Sequence, residues 1–187
     1  AGLEAIGQDI GRYLNDEVIC LWSAEKREFA MKTCILDTLS EGICNAVTGR
    51  NNAKRMLTEI YEGNGFLIAL DAQRQEYRYH HLFQGFLKNL LWETAPGECP
   101  NLHAKAGFWF KEQGMMPEAI GHLLDGGFYQ EVFELIEHRI DSLIRNNEFG
   151  RLLPWVERLP EAYQSKSFKI AAIYALYYAQ TGRPDLS

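Results

Sequence analysis

Two adjacent histidines, His80 and His81, stand where an aromatic extended run, Glu76-Tyr77-Arg78-Tyr79, meets a helical pattern. Its apolar positions are Leu82, Phe83, Phe86, Leu87, Leu90 and Leu91. A helix N-terminus carries backbone N–H groups with no intrahelical partner and the positive end of the macrodipole, so it favours phosphate and other anions. An imidazole placed there can contact phosphate or change its charge near neutral pH. The same two residues can equally well cap the helix and pack against it.

Other chemistry is sparse. His103 and His122 fall on predicted helices and could approach one another, but zinc would need a third ligand that the sequence does not name, so no metal site is expected. Cys20, Cys34, Cys44 and Cys99 form no Cys-x-x-Cys pair and fit no zinc spacing; they read as buried free thiols of a reducing compartment. No Gly-x-x-x-x-Gly-Lys-Ser/Thr run, Gly-x-Ser-x-Gly elbow or His-Glu-x-x-His helix occurs. The stretch is therefore not expected to be an enzyme. Arg50, Lys54 and Arg55 open a predicted helix and could touch DNA phosphates in a DNA-reading winged helix. Glu59 and Glu62 on the same helix would repel the backbone, and a solvated face is the competing reading. Trp109, Tyr174, Tyr177 and Tyr178 lie at helical spacing, which usually means core; on the concave face of a helical array they would instead anchor an effector or partner.

The elements that position these residues are mostly helical. Helices are expected over Asp9–Trp22 (inward Ile10, Tyr13, Leu14, Val18, Leu21), over Glu25–Cys34 with Ser23 as N-cap, and over Glu41–Val47 with Ser40 as N-cap and Gly49 as stop. A fourth starts after Asn51 or Asn52 with Ala53, Met56, Leu57 and Ile60 inward. The period then changes: Phe66–Leu70 and Glu76–Tyr79 read as the strands of a hairpin. Helices followed by such a hairpin give the order of a winged helix, over residues 1–93. The breaker-rich run Thr94–Pro100 reads as a linker. Residues 101–187 read as antiparallel helical hairpins resembling tetratricopeptide repeats. Gly114 and Gly182 lie two 34-residue periods apart, and Glu148-Phe149-Gly150 lies halfway. Such pairs stack into an α-superhelix. The fold class is thus mainly α.

The chain has 187 residues, 47% hydrophobic and 24% charged, values of a globular protein. No apolar run of about 18 residues spans a membrane, and no signal peptide precedes the first helix. The chain begins at Ala1 and ends inside a repeat, so it reads as a piece of a longer protein. Its net charge is −6, and the first 92 residues hold 10 Lys/Arg against 12 Asp/Glu. That balance argues against a module whose main work is DNA binding.

The segment Tyr77–Leu87, with Ile35-Leu36-Asp37-Thr38-Leu39 and Ala46-Val47-Thr48-Gly49-Arg50, resembles the winged-helix region of the MalT-like, LuxR-type large ATP-binding transcription regulators. In that pattern these two runs read "SILDRLS…AVTGR". The regulators belong to the STAND signal-transduction ATPases. Leu102-His103 through Ala119-Ile120-Gly121-His122 and Asp125–Phe128 resemble the start of their helical sensor domain. Other STAND families carry a Met-His-Asp signature at this junction, whose His contacts the β-phosphate of bound ADP. The resemblance implies that His80 takes that sensing place, while His81 stands where the Asp would be.

It further implies a cytoplasmic regulatory piece of a transcriptional regulator that holds no cofactor of its own, ATP or ADP being held by an ATPase domain outside this stretch. Partners would be that ATPase domain, a small-molecule inducer or regulatory protein at the repeats, and further copies of the protein. DNA would be met only through a C-terminal helix-turn-helix domain outside the stretch, and no membrane is expected. The alternatives are a DNA-binding winged helix with a helical dimerisation arm, and a peptide-binding repeat scaffold.

Overall fold

The computed structural model describes residues 14–64, 66–145, 150 and 152–173. It divides into two compact units, Ala1–Ala106 and Gly107–Ser187. The chain is mainly α with one small antiparallel sheet.

Of the helix expected over Asp9–Trp22, residues 9–13 with Ile10 and Tyr13 lie outside the described residues, and the remainder is not a regular α-helix. Leu14–Val18 form a π-helical turn and Ile19–Leu21 a 3₁₀ turn. A wide turn followed by a tight one shifts the phase of the apolar stripe. Leu14, Val18, Ile19 and Trp22 are buried, whereas Leu21, expected inward, is 78% exposed. Helix α1, Ala24–Thr33, then starts on Ser23, whose Oγ accepts from the Lys26 N–H at 3.2 Å. It buries Phe29, Ala30 and Thr33.

A strand that periodicity did not indicate follows. β1, Leu39–Ser40, pairs with β3, Glu76–Tyr79, which pairs in turn with β2, Leu67–Ala69, giving the order β1-β3-β2. The expected hairpin is therefore two-thirds of a three-stranded sheet. Helix α2, Glu41–Thr48, begins directly after Ser40, but the Ser40 side chain makes no capping hydrogen bond because the residue is committed to β1, opposite Glu76. The helix stops at Gly49, whose φ of 71° is the left-handed conformation glycine adopts at a helix end. Helix α3, Ala53–Asn64, buries Ala53, Met56, Leu57 and Ile60 as its spacing requires. Its cap comes neither from Asn51 nor from Asn52. The Asn45 Oδ1, eight residues upstream, accepts from the Ala53 N–H at 3.0 Å, while Asn52 donates its amide to Glu25 at 2.7 Å.

Strand alternation decides what β3 does. Tyr77 and Tyr79 point into the core and Glu76 and Arg78 point out. The Tyr79 hydroxyl lies 2.8 Å from the Thr33 hydroxyl, which itself donates to the Phe29 carbonyl at 2.8 Å. Tyr79 is therefore the donor of that pair, and complete burial holds its phenol well above the usual range. Helix α4, His81–Thr94, follows at once and buries Phe83, Leu87 and Leu91. Phe83 stacks on Phe66 at 4.4 Å and meets Tyr79 edge-on at 5.8 Å. Leu82, expected inward, is half-exposed. The breaker-rich residues beyond Thr94 are a 3₁₀ turn, Pro96–Glu98, running straight into α5, Cys99–Glu112. The division between the units falls inside α5.

In the second unit, α5 ends at a turn on Gly114 (φ 75°). Helix α6, Met116–Asp125, turns at Gly127 (φ 77°) into α7, Tyr129–Arg145. The core gathers Ile120, Leu123, Val132, Ile136 and Ile140 against Leu152, Val156 and Ile170. The short helices α8, Leu153–Val156, and α9, Glu161–Gln164, close it, followed by helical residues 168–173. The repeat markers Glu148, Phe149 and Gly182 lie outside the described residues.

Two side-chain constraints give measurable consequences. A Cβ on Gly107 would lie 2.7 Å from Leu123 Cγ and 3.1 Å from the Ala119 carbonyl oxygen. Leu123 is fully buried and has nowhere to move. Gly107→Ala is expected to destabilise the chain by about 1–3 kcal/mol, the usual cost of overpacking, in urea unfolding. Asn45→Ala removes a helix cap and is expected to cost about 1 kcal/mol in the same measurement.

Candidate functional site: the cleft at the start of helix α4

His80 occupies the N-cap position of α4. Its backbone is extended (φ −57°, ψ 132°), its N–H donates to the Phe66 carbonyl at 2.8 Å, and its carbonyl receives the Gln84 N–H at 2.9 Å. It is thus the last sheet residue and the first helix residue together. No side chain caps this helix, so its first-turn N–H groups keep their anion-binding capacity. The His80 and His81 rings lie together, centroids 4.6 Å apart and tilted by 31°.

These imidazoles line a cleft of 340 Å³ with Asp37, Ile68, Arg78, Tyr79 and Gln84. Each comes from a different constraint. Ile68 and Arg78 are register partners across β2 and β3 and share the sheet face opposite the buried tyrosines. Asp37 sits in the connection between α1 and β1. That connection is held by Gln84, whose Nε2 donates to the carbonyls of Cys34 and Leu36, both at 2.9 Å. Asp37, Arg78 and His81 are exposed and His80 is half-buried. The cleft therefore combines one permanent cation, two titratable imidazoles and one carboxylate on a fixed frame.

His80 and His81, expected at the strand-to-helix junction, both line this cleft. Arg78, Asp37 and Gln84 were not singled out in the sequence. Arg78 could have been found, because alternation forces it outward once Tyr77 and Tyr79 are inward. Asp37 and Gln84 carry no such signal, since a contact across 48 or 50 residues has no period.

The other candidate residues are placed as follows. Arg50 bonds Glu25 at 3.4 Å and Glu28 at 2.5 Å; Arg55 bonds Glu25 at 3.1 Å and Glu59 at 3.0 Å. Lys32 meets Glu28 at 2.7 Å, and this hydrogen bond holds the Glu28 carboxyl below its ordinary range, with the Lys32 and Arg50 charges adding to it. Lys54 is exposed and lines a separate polar hollow of 400 Å³ with Arg74 and Thr58. Trp109 is half-buried and edge-on to Phe110 at 5.2 Å, while Tyr174, Tyr177 and Tyr178 lie outside the described residues. His103 belongs to the first unit and His122 to the second, where its ring stacks on Phe110 at 5.4 Å. Cys34, Cys44 and Cys99 are buried and free; burial pushes the Cys34 and Cys44 thiols up to about 12. Cys20, also expected to be buried, is exposed on the 3₁₀ turn. Among the described residues no helix is long and apolar enough to cross a membrane.

Helices α1 to α3, the β1-β3-β2 sheet and the closing helix α4 define a winged-helix domain. Residues 15–99 match the family model of the MalT winged helix domain. Over 162 residues the chain is 32% identical to the HTH-type transcriptional regulator MalT of Klebsiella pneumoniae, covering 83% of this chain and 18% of that protein. Over 159 residues it is 28% identical to the serine/threonine-protein kinase PknK of Mycobacterium tuberculosis, covering 85% of this chain and 14% of the kinase. PknK of Mycobacterium bovis matches to the same extent. The chain thus spans less than a fifth of the length of these relatives.

Gln84 generates the test of the frame. Gln84→Ala leaves two buried carbonyls without a donor and is expected to cost about 1–3 kcal/mol in urea unfolding. It should also increase hydrogen exchange across residues 34–40, the connection that carries Asp37.

Proposed function

We propose that this winged helix is a non-enzymatic reporter of nucleotide state within a larger transcriptional regulator. An ATPase domain outside this stretch would hold ATP or ADP, and His80 would meet its terminal phosphate in the ADP-bound, inactive form. The observation that carries the reading is the cleft itself. The imidazoles and the Arg78 guanidinium line one cleft at the uncapped start of α4, together with the Asp37 carboxylate, and the cationic groups among them suit a phosphate. The residues that would reach a nucleotide thus fit the phosphate portion. The ion pairs of Arg50 and Arg55 with Glu25, Glu28 and Glu59 speak against α3 reading DNA, since phosphate contacts would first have to displace carboxylates.

The helical residues that follow would form a tetratricopeptide-like sensor that receives a small-molecule inducer or a regulatory protein. An effector shifts such a switch only by binding one state better than the other. DNA would be met through a separate helix-turn-helix domain, in a cytoplasmic protein that self-associates when open.

The test uses the regulator that carries this chain beside its ATPase domain. His80→Ala is expected to weaken retention of ADP after gel filtration and to raise transcriptional output without inducer. Bound ADP and basal output equal to wild type would remove His80 from this role.

A further inference from the structure

The first unit holds a second concavity, which shares no lining residue with the histidine cleft: a groove of 510 Å³ between α1 and the C-terminal half of α4. We infer that this groove is a binding site for a small amphipathic anion, an aryl or medium-chain carboxylate or sulfonate, with Arg27 as the anion contact. The site is independent of any role of His80.

Helix spacing builds the groove. On α1, Ala24, Arg27, Glu28, Met31 and Lys32 recur at steps of three and four residues and share one stripe. Opposite them α4 supplies Leu90, Leu91 and Thr94, and Ile19 and Ala95 complete the apolar lining. Ile19 and Leu91 are buried, Met31 and Leu90 half-buried. The Thr94 hydroxyl already donates to the Leu90 carbonyl at 2.6 Å. Ala24 and Ala95 bring only a methyl group each, which leaves room above this floor. The volume falls in the range of about 300–1,000 Å³ usual for small-molecule sites, which are mostly apolar with a few polar groups.

The charges of the lining decide the sign of the ligand. Arg27, Lys32, Glu28 and Glu98 all line the groove. Lys32 meets Glu28 at 2.7 Å and Glu98 at 3.7 Å, and Glu28 also accepts from Arg50. Both carboxylates are thus compensated. Arg27 is exposed and forms no ion pair among the described residues. The uncompensated charge of the groove is therefore positive. A guanidinium offers a planar fork of donors that matches carboxylate or sulfonate oxygens. An apolar body over Met31, Leu90 and Leu91 with an anionic end at Arg27 is the chemistry that this lining complements.

The experiment titrates the 187-residue chain at low ionic strength with two fluorescent probes of similar body, the anion anilinonaphthalene sulfonate and the neutral phenylnaphthylamine. Methionines carrying a labelled methyl group report the place by NMR, because Met31 lines the groove and Met56, Met115 and Met116 do not. The expected result is saturable binding of the sulfonate that shifts the Met31 methyl signal and leaves the other three in place. Arg27→Gln should weaken the sulfonate about fivefold, the upper range for an exposed charge pair, and leave the neutral probe unchanged. Lys88→Gln, which removes an exposed cation of α4 outside the groove, should change neither. Binding that does not saturate, or that saturates without moving Met31, overturns the site. Equal effects of Arg27→Gln on both probes, or none on either, overturn the anion contact. Sulfonate affinity that falls as protein concentration rises would mean that a second copy fills the groove, and it overturns the small-ligand reading.

Discussion

The first unit is organised around the fully buried hydroxyl of Tyr79. Burying a phenol is tolerable only if its O–H finds a partner. The Thr33 hydroxyl supplies it and is itself bonded back to the Phe29 carbonyl. This one contact ties the last residue of β3 to the last turn of α1, 46 positions earlier in the chain. With Tyr79 fixed inward, pleating leaves no freedom: Arg78 must face outward, and His80 must fall at the end of the sheet where α4 begins. Phe83 then completes the packing by touching Tyr79, Phe66 and Trp22. The chemistry of the cleft is a by-product of satisfying a buried oxygen.

Local sequence signals account for most of the first unit. Ser23 capped a helix where a capping serine should, Gly49 ended one, and the apolar period of α3 named its four buried residues. The failures share a cause. Ser40, Asn45 and Asn52 are each polar residues near a helix start, and sequence treats them alike. Only the fold shows that Ser40 is claimed by a strand and Asn52 by Glu25, which leaves Asn45 to cap α3 from a neighbouring helix. Likewise β1, two residues long, is too short for any period, and the π-to-3₁₀ switch before Trp22 moved the apolar stripe by one residue. In the cleft, the histidines were legible because two stood side by side at a change of period. Asp37 and Gln84 were not, because their place depends on pairing across the whole domain.

The surface of α1 and α3 has a different logic. Glu25, Glu28 and Glu59 share the two guanidiniums of Arg50 and Arg55 and the ammonium of Lys32. Each pair is partly exposed and individually weak. Collectively they turn a helix that opens with a basic run into a face with no surplus of positive charge.

The sorting of the cysteines carries a practical meaning. Cys34 and Cys44 are sealed in the core with their thiols pushed up to about 12, and Cys99 is buried and raised as well. Thiolate, the reactive form, is thus suppressed at all three. Cys20 alone of the four meets solvent, on the turn that leads into Trp22. A maleimide dye or spin label added to the unaltered chain would therefore seat itself at one address, one residue turn from the aromatic core. The molecule comes with its own attachment point for watching this domain move.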